Sequence, residues 1–210
     1  MIDQYIDRVD KAVQKATLDN GTKLPVEIFQ LPGMSSREGR ILLNEIVQEG
    51  DKYLEIGVHK GSTFVSALYK NNVQAVAIDN FCEFGTMEDN KKWFDQACVD
   101  HQITNFKFIN RDCFSLFDDE KQLIHETNVY FYDGRHEAEH QEKALTHFVD
   151  YLTNPFIYIV DDWNYEPARI GTKSGIQILN LNTHKEWILD GSTTNKGWHN
   201  GMYIAVMSKQ

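Results

Sequence analysis

Short apolar runs alternate along the chain with segments in which apolar residues recur every three or four positions. The short runs predict seven β-strands, at residues 53–57, 74–79, 106–110, 128–132, 156–160, 185–189 and 203–207. A continuous apolar run such as 156–160 is typical of a parallel strand that helices cover on both faces. The alternation of strand and helix, closed by a strand pair, predicts an α/β protein with a doubly wound sheet.

The segments between the runs predict the helices that cover this sheet. Residues 1–20 place Ile2, Ile6 and Val9 at helical spacing, and Ser36 is a suitable N-cap for a helix at 37–48. Further helices are predicted at 63–70, 88–100, 138–152 and 174–180, with a short one within 114–126, whereas residues 161–172 are predicted to be a loop. We expect one globular unit, in which residues 1–49 form an N-terminal helical cap on a ligand-binding domain at 50–210.

Composition and charge exclude several classes of protein. The 210 residues carry a formal net charge of −10, which argues against a general nucleic-acid binder because such proteins present a basic face. No apolar run approaches the roughly 20 residues that span a bilayer, and the N-terminus lacks an apolar signal core. Cys82, Cys98 and Cys113 are an odd number without metal-site spacing, so we expect reduced thiols in a cytoplasmic protein.

A glycine-containing turn follows the first predicted strand. It runs from Glu55 through Gly57, His59 and Gly61 to Ser62, at the point where a helix begins. Its two glycines allow a ligand to approach the backbone, but His59 stands where the second glycine of a dinucleotide-binding turn would fall. An acid at the end of the strand is also unfavourable for a diphosphate. The turn therefore favours a cofactor with a cationic amino-acid end and no phosphates.

Acidic residues follow the next two predicted strands. Asp79 ends the second strand, about 20 residues beyond the turn, where a carboxylate accepts hydrogen bonds from two ribose hydroxyls. Asp112 follows the third strand, within reach of an adenine amino group in the usual sheet order. An aspartate at the end of a strand also commonly caps the following helix. The glycine turn, Asp79 and Asp112 taken together in this order therefore indicate a cofactor site more strongly than any one of these residues alone.

Three more aspartates follow the fourth and fifth predicted strands. Asp133 comes after one strand, and Asp161 and Asp162 come directly after the other. Ligands of open α/β sheets bind outside the carboxyl ends of the strands, so neighbouring strands would bring these carboxylates together. Like charges at short range raise each other's pKa or attract a cation, and oxygen ligands suit Mg²⁺, Mn²⁺ or Ca²⁺. Asp162 has a simpler interpretation as a loop cap.

With the ordered set of Glu55, Gly57, Gly61, Asp79 and Asp112, the chain resembles the class I S-adenosylmethionine-dependent methyltransferases over residues 50–207. The resemblance implies a Rossmann-like sheet of seven strands, mostly parallel, with an antiparallel last strand inserted beside the sixth and helices on both faces. It implies that Glu55 and Gly57, with the turn through Gly61 and Ser62, border the methionine end of the cofactor. Asp79 would hold the ribose, and Asp112 and Cys113 would lie near the adenine.

The residues from Asp133 to His136 and the Asp161–Asp162 pair narrow the resemblance to metal-dependent O-methyltransferases. These include the catechol and caffeoyl-coenzyme A enzymes and a bacterial branch that acts on macrolide and aminocoumarin sugars. The resemblance implies that Asp133, Asp161 and Asp162 hold the metal and that Asp133 also borders the cofactor. The catechol-type base is a lysine, and here His136 takes its position. A histidine near neutral pKa accepts a hydroxyl proton, so His136 and Asp133 are the expected catalytic residues.

Several alternatives remain open at this stage. His136 could be a hydrogen-bonded residue at a helix start, and His136 with His140 could face one metal. Residues 163–172 and 198–200 could shape an acceptor pocket, or Trp163 could merely pack its loop. The expected partner is a small-molecule hydroxyl acceptor, without nucleic acid or membrane, and a homo-oligomer is one expected assembly. Alternative functions are a metal-independent N- or O-methyltransferase and a binding protein without turnover.

Overall fold

The central element is a seven-stranded sheet. The computed structural model describes residues 1–191 and 197–210. Within them the strands follow the order β3-β2-β1-β4-β5-β7-β6. Their bounds are β1 Lys52–Ile56, β2 Gln74–Ile78, β3 Phe106–Ile109, β4 Thr127–Tyr132, β5 Leu152–Val160, β6 Asn182–Leu189 and β7 Met202–Ser208. The first five strands are parallel, and β7 is antiparallel to both β5 and β6. The predicted fold class is confirmed, including the antiparallel last strand beside the sixth.

Eight α-helices surround the sheet in the described residues. They are α1 Ile2–Leu18, α2 Val26–Phe29, α3 Arg37–Ile46, α4 Ser62–Leu68, α5 Met87–Asp100, α6 Asp118–Leu123, α7 Ala138–Thr146 and α8 Glu166–Ile178. Ser36 caps α3 as predicted, because its hydroxyl accepts a hydrogen bond from the Gly39 backbone N–H at 3.0 Å. In the described part of the chain, no helix combines the length and apolar character needed to span a membrane.

The two faces of the sheet carry separate apolar cores. Alternate residues of β5 divide between them: Ile157 and Ile159 face the core that includes α1, α3, α4 and α5. Tyr158 and Val160 face the core that includes α7, with α8 packed against it. Every residue from Phe156 to Val160 is fully buried, as expected for a strand with helices on both sides. The edge strand β6 instead alternates between exposed and half-buried residues.

The N-terminal helix α1 packs against α3 and the first core. Val9, Ala12 and Ala16 are buried in this contact. Arg8 donates a hydrogen bond to Asp51 at 2.8 Å, and Lys15 lies 2.8 Å from Glu45 of α3, so two ion pairs join α1 to its neighbours. The division into a cap at 1–49 and a domain at 50–210 stays a prediction, and so does the homo-oligomeric state.

The structure corrects the sequence prediction in the region of α7, α8 and β5. The predicted loop at 161–172 already contains the first half of α8. Gly171 lies within this helix and packs against α7, where a Cβ would overlap the carbonyl oxygen of Ala138. Helix α7 ends six residues earlier than predicted, and β5 begins at Leu152 despite Pro155, beside an irregularity in its pairing with β4.

Candidate active site

A cavity of about 690 Å³ opens at the carboxyl ends of the parallel strands. The loops that follow β1, β2, β3, β4 and β5 all contribute to its wall, and His199 and Asn200 approach from the segment before β7. This is the edge at which open α/β sheets bind ligands. Of the predicted site residues, the cavity wall contains Gly57, Asp79, Asp112, Cys113, Asp133, His136, Asp161 and Asp162.

Gly57 forms the floor of the cavity, where three strand ends meet. Its φ of 89° lies in the left-handed region, and a Cβ on it would overlap the carbonyl oxygen of Asp133. Its backbone N–H donates to Ile78 O at 2.9 Å. The glycine therefore lets the turn after β1 lie directly against the loop after β4, which brings the predicted cofactor turn to the aspartate expected to bind metal.

Asp79 is oriented by the protein backbone. Its two carboxylate oxygens accept hydrogen bonds from the N–H groups of His59, at 2.8 Å, and Phe81, at 2.6 Å. Burial raises the pKa of Asp79, although these hydrogen bonds oppose the rise. Each oxygen keeps a second lone pair that can accept a hydrogen bond from a ligand in the cavity, so the carboxylate is held in place and can still bind a ligand.

Glu55 lies beneath the cavity rather than in its wall. It is fully buried, and its oxygens accept hydrogen bonds from the hydroxyls of Tyr53, at 2.5 Å, and Thr63, at 2.6 Å. Burial raises the pKa of Glu55 to about 8, against the effect of these two donors. The side chain thus braces the turn from below, between β1 and the first residues of α4.

Gly61 and Ser62, two further predicted cofactor residues, also lie outside the wall that the described residues form. Gly61 has φ 87°, and its Cα faces the ring of Phe94. The Ser62 hydroxyl is 3.0 Å from that of Ser35 and lies against Gly33. In this conformation both residues join the turn to the N-terminal segment, and neither faces the cavity.

The loop after β3 supplies the far end of the cavity. Asp112 accepts a hydrogen bond from the Phe114 N–H at 2.8 Å and caps a short 3₁₀ turn at Cys113–Ser115. Burial raises the pKa of the Cys113 thiol to about 12, so the thiol is neutral. The ring of Phe114 packs near His140 and Phe148. This end therefore offers an apolar wall and one carboxylate.

Asp133, His136 and Asp162 form a group that could hold a metal ion. One potential ligand atom from each lies within 4.8 Å of the others. His136 Nε2 is 2.7 Å from Asp162 Oδ2. His136 comes from the loop after β4 and Asp162 from the loop after β5, so the pairing of β4 with β5 brings them together. Two carboxylates and an imidazole are ligands that Mn²⁺ and Mg²⁺ accept in proteins.

The charges of this group are strongly coupled. Burial, followed by the nearby charges of Asp161 and Asp162, raises the pKa of Asp133 well above its usual range. The hydrogen bond to Asp162 raises the pKa of His136. Burial opposes ionisation of Asp162 as well, but the hydrogen bond from His136 lowers its pKa below the ordinary value. The arrangement favours an ionised Asp162 that accepts a hydrogen bond from His136 Nε2.

Asp161, which the sequence prediction included among the metal ligands, lines the same cavity but lies outside this three-residue group. Its side chain is buried, and burial together with the charge of Asp162 raises its pKa well above the usual range. Asp161 continues the alternation of Ile157 and Ile159 and so lies on the α3 side, near Ser36 and Thr63. Asp162 adopts a left-handed φ of 53°, which turns its side chain to His136.

The wall also contains residues that sequence reasoning did not select. Met34 reaches it from the N-terminal segment, and Glu83 and Arg135 form an ion pair at 3.4 Å. These three residues carry no sequence signal, because their positions depend on the packing of other elements. Tyr165, from the segment predicted to shape an acceptor pocket, also lines the wall; it is half exposed and lies edge-on to the ring of His136.

Two predicted pocket residues have packing roles instead. Trp163 is buried and stacks on Tyr203 with ring centroids 4.2 Å apart, so it fixes the loop after β5. Trp198 packs against the first core, whereas its neighbours His199 and Asn200 line the cavity. The His136–His140 alternative is not supported, since His140 is not in the group with Asp133 and Asp162.

Comparison with known proteins identifies the fold. No family model matches the chain, and no curated protein is similar in sequence. Among solved structures, an O-methyltransferase from Bacillus cereus in complex with SAH is 14% identical, with a TM-score of 0.59 over 96% of this chain and 91% of its own. TomG, an O-methyltransferase from Streptomyces achromogenes in complex with SAM, is 13% identical, with a TM-score of 0.58 over 96% and 89%.

A second kind of structural relative is larger. TrmN from Thermus thermophilus is 10% identical, with a TM-score of 0.57 over 81% of this chain and 49% of its own, so the chain spans about half of that protein's length. The chain therefore has the fold seen in S-adenosylmethionine-dependent methyltransferases, and the B. cereus and S. achromogenes proteins match it over almost its whole length.

Proposed function

We propose that the protein is an S-adenosylmethionine-dependent O-methyltransferase that acts on a hydroxyl of a small molecule or sugar with the help of a divalent cation. One observation carries the proposal: Gly57 and the backbone of Asp133 are in direct apposition, so the cofactor turn and the group of Asp133, His136 and Asp162 share one cavity wall. The net charge of −10 supports a small acceptor rather than a nucleic acid.

The cofactor end of the cavity fits S-adenosylmethionine. Gly57 leaves room that a Cβ would close, and Asp79 is held by two backbone N–H groups in the position where ribose hydroxyls donate. When bound, S-adenosylmethionine supplies a methyl group on a positively charged sulfur. The acidic wall favours such a ligand, since Asp133 and Asp161 would each gain from a neighbouring positive charge.

The metal end fits a hard divalent cation. Asp133 and Asp162 would hold the ion through carboxylate oxygens. Burial and the nearby charges of Asp161 and Asp162 raise the pKa of Asp133, and a cation beside these groups would favour its ionised form. When bound, the cation supplies positive charge that acidifies a nearby hydroxyl.

His136 is the proposed proton acceptor. With Nε2 donating to Asp162, the ring presents Nδ1 as the basic nitrogen. Asp162 then orients the imidazole and stabilises the imidazolium that forms when the acceptor hydroxyl loses its proton. Asp79 and the Gly57 turn hold the other reactant against the same wall, so the protein contributes chiefly orientation and proton transfer.

A metal-independent methyltransferase is the second candidate. It is favoured by the direct 2.7 Å contact between His136 and Asp162, because this contact already pairs a base with the carboxylate that orients it. In that case Asp162 would act only through His136, and a chelator would leave turnover unchanged.

Binding and transfer of the methyl group test the proposal. S-adenosylhomocysteine should raise the melting temperature by mass action, and NAD, as the control ligand, should not. Transfer of a labelled methyl group to a hydroxyl acceptor should require Mg²⁺ or Mn²⁺ and stop with EDTA. Stabilisation by NAD alone would reject the cofactor assignment. Transfer that survives EDTA would favour the metal-independent candidate.

A further inference from the structure

The wall of the cavity carries a large excess of acidic groups. Among the residues that the structure describes, the wall includes seven aspartates and glutamates but only two arginines and no lysine. A bound divalent cation and the sulfonium of the cofactor would offset part of this charge. An excess of one sign of charge in a cleft concentrates ligands of the opposite sign.

Both arginines of the wall are already paired with acids. Arg111 lies 3.1 Å from Glu120, and its guanidinium stacks on the ring of Phe117. Arg135 lies 3.4 Å from Glu83, which reaches it from the loop after β2. An anionic acceptor would have to displace one of these carboxylates in order to find a cationic partner.

The pair of Glu83 and Arg135 is the one nearest to the proposed chemistry. Arg135 stands between Asp133 and His136 in the loop after β4, and all four residues line the cavity. Glu83 therefore cancels the positive charge that would otherwise attract an anion to the metal end. Because both side chains are about half exposed, the pair adds little to stability.

We propose that the acceptor is a neutral or cationic hydroxyl compound, such as a polyol, a catechol or an amino sugar. In this proposal Glu83 is a specificity-determining residue: by pairing with Arg135, it excludes acceptors that carry a carboxylate or a phosphate. The inference rests on the proposed function, since it describes the acceptor of that reaction. The exposed aromatic ring of Tyr165 beside His136 adds an apolar surface that suits the body of such a compound.

A matched panel of acceptors tests the charge preference. The enzyme, with Mg²⁺ and methyl-labelled S-adenosylmethionine, is offered catechol, dopamine and 3,4-dihydroxybenzoate, and then methyl glucoside, glucosamine and glucuronate. We expect kcat/KM for the neutral and cationic members to exceed that of the anionic member by about tenfold or more. A preference for the anionic members would overturn this inference and leave the proposed function standing. Absence of transfer to all six would count against O-methyl transfer itself and withdraw the inference with it.

The substitution Glu83→Gln tests the proposed role of Glu83 in acceptor selection. It leaves Arg135 without its carboxylate, so kcat/KM for the anionic acceptor, relative to the neutral one, should rise about five- to tenfold. Glu88→Gln is the matched control, because it makes the same change of charge on the exposed start of α5, outside the described cavity wall. Adding Arg135→Gln to Glu83→Gln should reverse the gain. An unchanged ratio in Glu83→Gln, with unaltered affinity for S-adenosylhomocysteine, would remove Glu83 from this role.

Discussion

The two ends of the cavity are built in different ways. At the cofactor end, the backbone sets the geometry: Gly57 is fixed by its φ and by its contact with Asp133, and Asp79 by two N–H donors. At the proposed metal end, side chains set the geometry: Asp162 is held by the His136 ring, which comes from a different loop. An end built from backbone has one arrangement, whereas an end built from side chains responds to protonation and to ligands.

Neighbouring aspartates at the metal end illustrate this difference. Asp161 and Asp162 are consecutive, yet burial and the charge of its neighbour raise the pKa of the first, while the His136 hydrogen bond overcomes burial and lowers the pKa of the second. The direction in which each side chain leaves the strand decides which partner it meets. Experiments on the two ends should therefore give effects of different kinds.

The largest effect is expected from the backbone-defined end. Gly57→Ala should lower the free energy of unfolding by about 3 kcal/mol or more, because the new Cβ overlaps the Asp133 carbonyl and the residue must also keep a positive φ. Denaturant unfolding measures the loss. The control is Gly21→Ala, which has φ 67° but no atom within 4 Å of its Cβ, and should cost only about 1 kcal/mol. Equal losses in the two variants would mean that Gly57 has no special contact.

The next largest effect is expected for the carboxylate that meets His136. Asp162→Asn should weaken Mn²⁺ binding, measured by calorimetry, by about 100-fold or more, and turnover should fall with it, since the variant loses a ligand and the partner of the base. Asp161→Asn, the adjacent control, should weaken Mn²⁺ binding by less than about tenfold. Equal weakening in both variants would restore Asp161 to the ligand set.

Replacement of the proposed base should change turnover without changing cofactor binding. His136→Ala should lower kcat by about 100-fold, the lower range for loss of a general base, with little change in the affinity for S-adenosylhomocysteine. His184→Ala removes a histidine from the edge strand, and kcat should stay the same. If His136→Ala instead weakens Mn²⁺ binding as strongly as Asp162→Asn, His136 is a ligand rather than the base.

The smallest effect is a pH dependence beneath the cofactor end. The pKa of Glu55 is about 8 in the folded protein, against an ordinary value of 4.5, because of burial. The folded state binds the extra proton between these values, so the stabilisation is complete below pH 4.5 and is lost as the pH rises towards 8. Glu55→Gln should remove a decline of up to about 2 kcal/mol between pH 5 and 7, measured by urea unfolding. A variant with the same pH profile as the wild type would show that Glu55 is not the source.

The sequence predicted the parts of the fold and site that regular structure determines. Central strands such as β5 were located because apolar runs report burial directly, and strand order then assembled Gly57, Asp79 and Asp133 at one edge. These residues follow strand ends directly, so the register of the paired strands determines their positions.

The remaining site residues depended on features that a single sequence does not carry. Asp161 and Asp162 could not be told apart, since the distinction rests on the left-handed φ of Asp162. The start of α8 was missed: the helix begins at Glu166, with Pro167 in its first turn, where a proline is tolerated. The pairing of Glu83 with Arg135 joins two loops 52 positions apart, and neither residue has a local pattern that indicates its partner.

The insertion of β7 between β5 and β6 affects the order in which the protein can be completed during synthesis. Strand β6 has no neighbour in the described sheet except β7, which follows it in the chain. While a ribosome is still making residues 202–208, β5 therefore presents an open apolar edge and β6 has no place to dock. Residues 199 and 200 of the cavity wall precede β7 directly, so the ligand-binding cleft closes only when this last pairing has formed.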